Sequence, residues 1–109
     1  RLIITSSLKD VICLHAAGYN AIAMQSEMQM PSDKLISELK QRFTTVDILY
    51  DNDFDKANNP GQVMAKKICD LYGLNNICLP TKYKSKDPSD LVSKTGNFKN
   101  LKTILNDTR

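Results

Sequence analysis

The chain has no tryptophan, a single histidine and only three cysteines. Having one histidine, His15, excludes a histidine-rich metal site, and it reads as a helix-surface or packing residue rather than a catalyst. Cys13, Cys69 and Cys78 lie far apart, none in a Cys-x-x-Cys pair, and an odd number cannot pair off internally. Each sits in an apolar context and reads as a small buried thiol. Long apolar runs are also missing. None exceeds the four residues of Val11–Leu14, whereas a bilayer span needs roughly 20. No basic-then-apolar leader precedes that run, so a soluble, cytoplasmic protein with no membrane partner is expected. Neither a charge excess nor a sustained heptad pattern is present, which argues against a disordered tail or a coiled coil. The net charge of +3 permits contact with nucleic acid without arguing for it. The chain begins at Arg1 without a methionine and enters the apolar Leu2–Ile4 at once, as expected of a domain excised from a longer polypeptide.

What is present is enough for one ordinary core. With 109 residues, 41% apolar and 25% charged, residues 1–109 are expected to form a single domain. Short apolar strands alternate with amphipathic helices. Leu2–Thr5 reads as a strand buried on both faces. Ser7 or a neighbour caps a helix running to about Ala17, with Leu8, Val11, Ile12 and Leu14 toward the core, and Gly18 closes it. Asn20–Met24 is a second strand. Pro31-Ser32-Asp33 starts a helix carrying Leu35, Ile36, Leu39 and Phe43 at helical spacing. Val46–Tyr50 is a third strand, followed by a polar loop over Asp51–Asn59. Asn59 as N-cap and Pro60 at the first helical position open a helix presenting Val63, Met64, Ile68 and Leu71, which stops at Gly73. Asn76–Leu79 is a fourth strand. Asp87-Pro88 opens a short helix over Ser89–Ser93, and Phe98, Leu101, Ile104 and Leu105 mark a last one. This alternation predicts an α/β fold: a four-stranded parallel sheet, order 2-1-3-4, with helices on both faces.

In such a sheet ligands collect beyond the carboxyl ends of the strands. There the chain places Asp51-Asn52-Asp53, then Asp55, as the third strand runs out. Residues two apart on an extended segment point the same way, so Asp51 and Asp53 can share an ion, and oxygen-only ligands suit Mg²⁺ or Mn²⁺. A solvated acidic turn explains the same residues without a metal. Asp10, in the first turn of the first helix, brings another carboxylate to that edge, although it also suits the helix dipole. Asp87 and Asp90 add further acid after strand four, where a helix start is sufficient reason for them. Lys82, Lys84 and Lys86 form a basic loop alongside, either a solvated face or a set of phosphate contacts.

These residues, in this order, resemble the Toprim domain of bacterial primases, topoisomerases and some nucleases. The stretch Ile4–Leu14 resembles the primase segment of apolar strand, Glu-Gly, two residues, Asp, then helix. Ala17–Ala23 resembles the following helix end and strand, and Ile48–Asp53 the Asp-x-Asp that ends the third strand. Leu79-Pro80 with Lys86–Leu91 resembles the Leu-Pro, basic loop, Asp-Pro stretch. The match spans residues 2 to about 95, and the Ser-Leu-Lys-Asp start is similar to variants in phage-type or mobile-element primases. The resemblance implies a Toprim/Rossmann-like fold and a Mg²⁺- or Mn²⁺-binding domain of a DNA primase acting in primer synthesis. DNA, nucleotides and other domains of the same primase or primase-helicase chain would be its partners. Asp51, Asp53 and Asp55 are the implied metal ligands. The family's glutamate, its usual acid/base, falls on Ser6, and its glycine falls on Ser7. Serine cannot act as that carboxylate at neutral pH. Glu27, in the loop after strand two, is the residue that could supply it, with Asp10 as the other candidate catalytic carboxylate; a solvated loop glutamate is the plain reading of Glu27. A degenerate, non-catalytic metal- or nucleic-acid-binding module is the alternative, with a Toprim nuclease behind it.

Overall fold

The computed structural model describes residues 1–24 and 28–108. Its centre is a four-stranded sheet of β1 (Leu2–Thr5), β2 (Asn20–Ala23), β3 (Val46–Leu49) and β4 (Asn75–Asn76), in the order β2-β1-β3-β4. Every pairing is parallel, with Thr5 opposite both Ala23 and Leu49. The α/β class, the all-parallel pairing and the strand order match the sequence expectation. Among the described residues no helix is long and apolar enough to cross a membrane.

Side chains alternate across the sheet and divide the interior into two layers. Leu2, Ile4, Val46, Ile48 and Tyr50 pack against α2 (Asp33–Arg42) and α3 (Pro60–Tyr72), through Ile36, Leu39, Met64, Ala65 and Ile68. Ile3 and Leu49 face the other way, toward α1 (Leu8–Ala16), α4 (Pro88–Thr95) and α5 (Lys99–Asp107), meeting Leu14, Leu91, Leu101 and Leu105. The two central strands, β1 and β3, are buried on both sides, which explains the nearly unbroken apolar runs that form them. Each fully buried Ile or Leu here contributes about 1.5–3 kcal/mol relative to exposure. Within β3 a charged residue interrupts the apolar run: Asp47 is buried, and Arg1 Nε meets its Oδ2 at 2.6 Å. The Arg1 guanidinium also donates to Leu105 O and Thr108 Oγ1, so this pair ties β1 and β3 to the last helix.

Several local expectations are revised. Leu8 and Ile12 were expected to face the core but are 70% and 62% exposed. The buried stripe of α1 instead runs Asp10–Leu14–Ala17, at i, i+4 and i+7, which turns Leu8 and Ile12 outward. Val63 and Leu71 likewise face out, because α3 buries Gly61, Met64, Ala65, Ile68 and Cys69. Strand four pairs one residue earlier and more briefly than its apolar residues imply. Its ladder bonds continue to Ile77, whose N–H reaches Ile48 O at 2.7 Å, before the chain leaves the sheet with Ile77 and Leu79 fully buried.

Candidate metal centre

The carboxyl ends of β1 and β3 lie side by side, and the segments beyond them converge. Ser7 caps α1, its hydroxyl accepting from Asp10 N–H at 3.4 Å and donating to Asp10 Oδ2 at 2.8 Å. Asp10 is fully buried because it occupies the core-facing stripe of α1. Its Oδ1 accepts from both the backbone N–H (3.1 Å) and the hydroxyl (2.8 Å) of Ser89, in the first turn of α4. Asp87 caps α4, with Oδ1 accepting from Asp90 N–H at 2.8 Å and Oδ2 accepting from Lys9 Nζ at 2.9 Å. Asp51 follows β3 and accepts a 3.0 Å hydrogen bond from the Ser6 hydroxyl.

Asp10, Asp51 and Asp87 therefore meet, each offering one carboxylate oxygen within 4.8 Å of the others, and a group of this kind can hold a metal ion. Asp10 and Asp87 are buried and Asp51 is half-buried. Burial raises the Asp10 pKa above the ordinary carboxylate value and the charge of Asp87 adds to that, while hydrogen bonds from Ser89 and Ser7 work against it. Converging buried carboxylates repel one another, and a cation among them relieves both the repulsion and the desolvation. Thr5, the last residue of β1, points to the same side of the sheet as Ile3, under α1 and α4. It is buried with a hydroxyl that has no hydrogen-bond partner. An all-oxygen donor set of this kind is chemistry that a hard cation fits.

The cluster differs from the one the Asp-x-Asp spacing implies. Asp53 is not drawn together with Asp51. β3 ends at Leu49, and the buried Asp53 carboxylate accepts from Gly61 N–H at 3.0 Å, at the start of α3. It thereby does the capping expected of Asn59, which sits at the N-cap position with left-handed backbone (φ 41°) and no side-chain cap bond. Asn59 instead braces the loop, donating to Asn52 Oδ1 and accepting from Asp53 N–H. Asn52 donates to Leu79 O, and its backbone N–H to Lys86 O, stitching the segments after β3 and β4 together.

Asp55 is exposed and pairs with Lys86 at 2.9 Å, a contact that lowers its pKa. Asp90 is spent on its own helix, accepting from Lys86 N–H and pairing with Lys94 at 3.3 Å. Lys82 lies over the Tyr83 ring, 5.2 Å from its centroid. Lys84 has left-handed backbone (φ 52°), and its carbonyl accepts from Lys94. Of the three lysines expected to contact phosphate, Lys86 is the one that lines a cleft beside the acids. That cleft, of about 500 Å³, is walled by Lys9, Lys86, Asp87, Ser89, Asp90 and Ser93. Glu27 lies outside the described residues. Lys9, Ser89 and Thr5 were given no role from the sequence. Their only signal was position: Lys9 directly before Asp10, Ser89 two after Asp87, and Thr5 ending a strand.

Two further clefts, of about 360 and 430 Å³, lie at the opposite edge of the sheet around Thr44, Thr45, Asp47 and Asn75. The acid lining them, Asp47, is paired with Arg1. Compared with known proteins, the chain matches no family model and no curated protein sequence.

Proposed function

We propose that the chain is the divalent-metal-binding domain of a Toprim-type DNA primase, acting in primer synthesis on DNA with nucleotides as substrates. One observation carries the reading. Asp10, Asp51 and Asp87, drawn from three separate segments, converge at the carboxyl edge of an all-parallel 2-1-3-4 sheet. Mg²⁺ or Mn²⁺, when bound there, would supply charge neutralisation for nucleotide phosphates. The chain's own residues prepare for that. Ser7 and Ser89 hold both oxygens of Asp10, Asp90 N–H orients Asp87, and Ser6 fixes Asp51. Lys9 and Lys86 set positive charge beside the acids, on the cleft wall where phosphate oxygens would approach.

A second reading is a metal- or nucleic-acid-binding module that has lost catalysis, and Ser6 favours it. The position the resemblance assigns to a catalytic glutamate holds a hydroxyl, and that hydroxyl is committed to Asp51. Two measurements separate these readings. Calorimetric titration with Mn²⁺ should show binding by the wild type that Asp51→Asn and Asp87→Asn abolish. Primer synthesis on single-stranded template, by a chain containing this domain, should be lost in the same variants if the domain catalyses and retained if it only binds. Mn²⁺ binding equal in wild type and Asp51→Asn would remove the basis of both.

A further inference from the structure

Lys9 stands in the first turn of α1, immediately before the buried Asp10. Its ammonium holds Asp87 Oδ2 at 2.9 Å while its side chain remains 63% exposed. The other Asp87 oxygen is engaged by Asp90 N–H, so Lys9 holds the carboxylate oxygen that the helix cap leaves open. Asp87 acts on the Lys9 ammonium through its hydrogen bond, and the charges of Asp10 and Asp51 reach it as well. The ammonium thus sits in the field of all three carboxylates. A divalent cation entering the cluster would compete with it for the same oxygen and the same field. An exposed lysine pair is worth little and gives way easily. Once displaced, Lys9 has a defined place to go. It already lines the cleft it shares with Lys86, Asp87, Ser89, Asp90 and Ser93, where a cation held by the acids would leave its ammonium, that of Lys86 and the Ser93 hydroxyl to meet a phosphate.

We propose that Lys9 is a displaceable counter-ion of the metal centre. It neutralises Asp87 until a divalent cation binds, then turns into the Lys86–Ser89–Ser93 cleft to take a phosphate oxygen. The inference rests on the metal reading above and adds an order to it, with cation first and phosphate second. The phosphate belongs to a nucleoside triphosphate or to a nucleic-acid backbone, and both are tested.

The experiment compares wild type with Lys9→Met, which keeps the length of the stem and removes the charge. Lys67→Met, an exposed change on α3 far in sequence from the cluster, controls for net charge. In titrations with Mn²⁺ alone, Lys9→Met should bind about twofold to fivefold more tightly than wild type, the range an exposed ion pair supplies. At saturating Mn²⁺, its affinity for a nucleoside triphosphate, for a short single-stranded oligonucleotide, or for both should fall by a similar factor. The arm that falls identifies the phosphate source. Lys67→Met should match wild type in Mn²⁺ binding. Weaker or unchanged Mn²⁺ binding by Lys9→Met, or full retention of affinity in both phosphate arms, overturns the proposal. If Asp51→Asn still abolishes Mn²⁺ binding in that case, the metal reading survives and only the role of Lys9 falls. If the wild type binds no Mn²⁺, both fall together.

Discussion

The Ser6 hydroxyl donates to Asp51 Oδ1 at 3.0 Å, linking the residues that follow two adjacent parallel strands. A carboxylate at position 6 would therefore stand beside the acid cluster. Ser6→Glu should tighten Mn²⁺ binding about tenfold or more, since affinity at oxygen sites rises with ligand charge. The same change should lower the melting temperature without metal, because a fourth acid adds repulsion. Ser6→Ala should cost about 0.5–1.5 kcal/mol through the lost hydrogen bond. Calorimetry and thermal melts with and without Mn²⁺ check both, and a Ser6→Glu protein with wild-type affinity would show that this position does not face the ion.

Asp53 gives a separable prediction. Its carboxylate receives Gly61 N–H at the start of α3, so its work is structural. Asp53→Asn keeps an acceptor and loses charge at the helix N-terminus, for an expected cost of about 0.3–1 kcal/mol. Asp53→Ala leaves a buried N–H unpaired and should cost about 1–3 kcal/mol. Denaturant melts give these values, and Mn²⁺ affinity of the folded Asp53→Asn protein should stay close to wild type. A loss of binding matching that of Asp51→Asn would place Asp53 among the ligands after all.

Asp10 links the site to pH. Its folded pKa is raised above the ordinary carboxylate value of 3.8, with burial as the leading cause. Between those two pKa values the native state holds a proton that the unfolded chain releases, so stability falls as pH rises through that window. Above it the buried charge remains as a standing cost. Asp10→Asn keeps an oxygen for the Ser89 donors and removes the charge. In metal-free protein it should therefore raise the melting temperature at neutral pH, with the advantage disappearing below about pH 4. Added Mn²⁺ should stabilise the wild type and leave Asp10→Asn unchanged. Melting curves across pH decide it, and a variant less stable than wild type at neutral pH would contradict the sign.

The order of the sheet was legible because each strand is a short apolar run and each helix carries its own start and stop. Ser7, Ser32, Asp87 and Gly73 stand at the caps where the sequence puts them. Asp51, Asp10 and Asp87 could be placed at the carboxyl edge by the same logic. Which acids would meet could not be read, because that depends on side-chain direction outside regular structure. Asp51 and Asp53 are two apart, but both lie beyond β3, where strand pairing no longer fixes which way side chains point. One clue was available: Asp10 shares the i, i+4, i+7 stripe with Leu14 and Ala17, and a carboxylate on a buried stripe demands partners. Leu8 and Ile12 were misplaced for the same reason, since the stripe that includes Asp10 leaves no room for them.

The loop between β3 and α3 is closed on itself by side chains. Asn59 bridges Asn52 and Asp53, Asp53 reaches Gly61, and Asn52 reaches across to Leu79. Few torsions near Asp51 are left to be frozen when something binds. A ligand there meets a frame that is already set, so little ordering entropy opposes association. Substitutions that loosen the ring without touching any acid should therefore weaken Mn²⁺ binding, as calorimetry on Asn59→Ala would show.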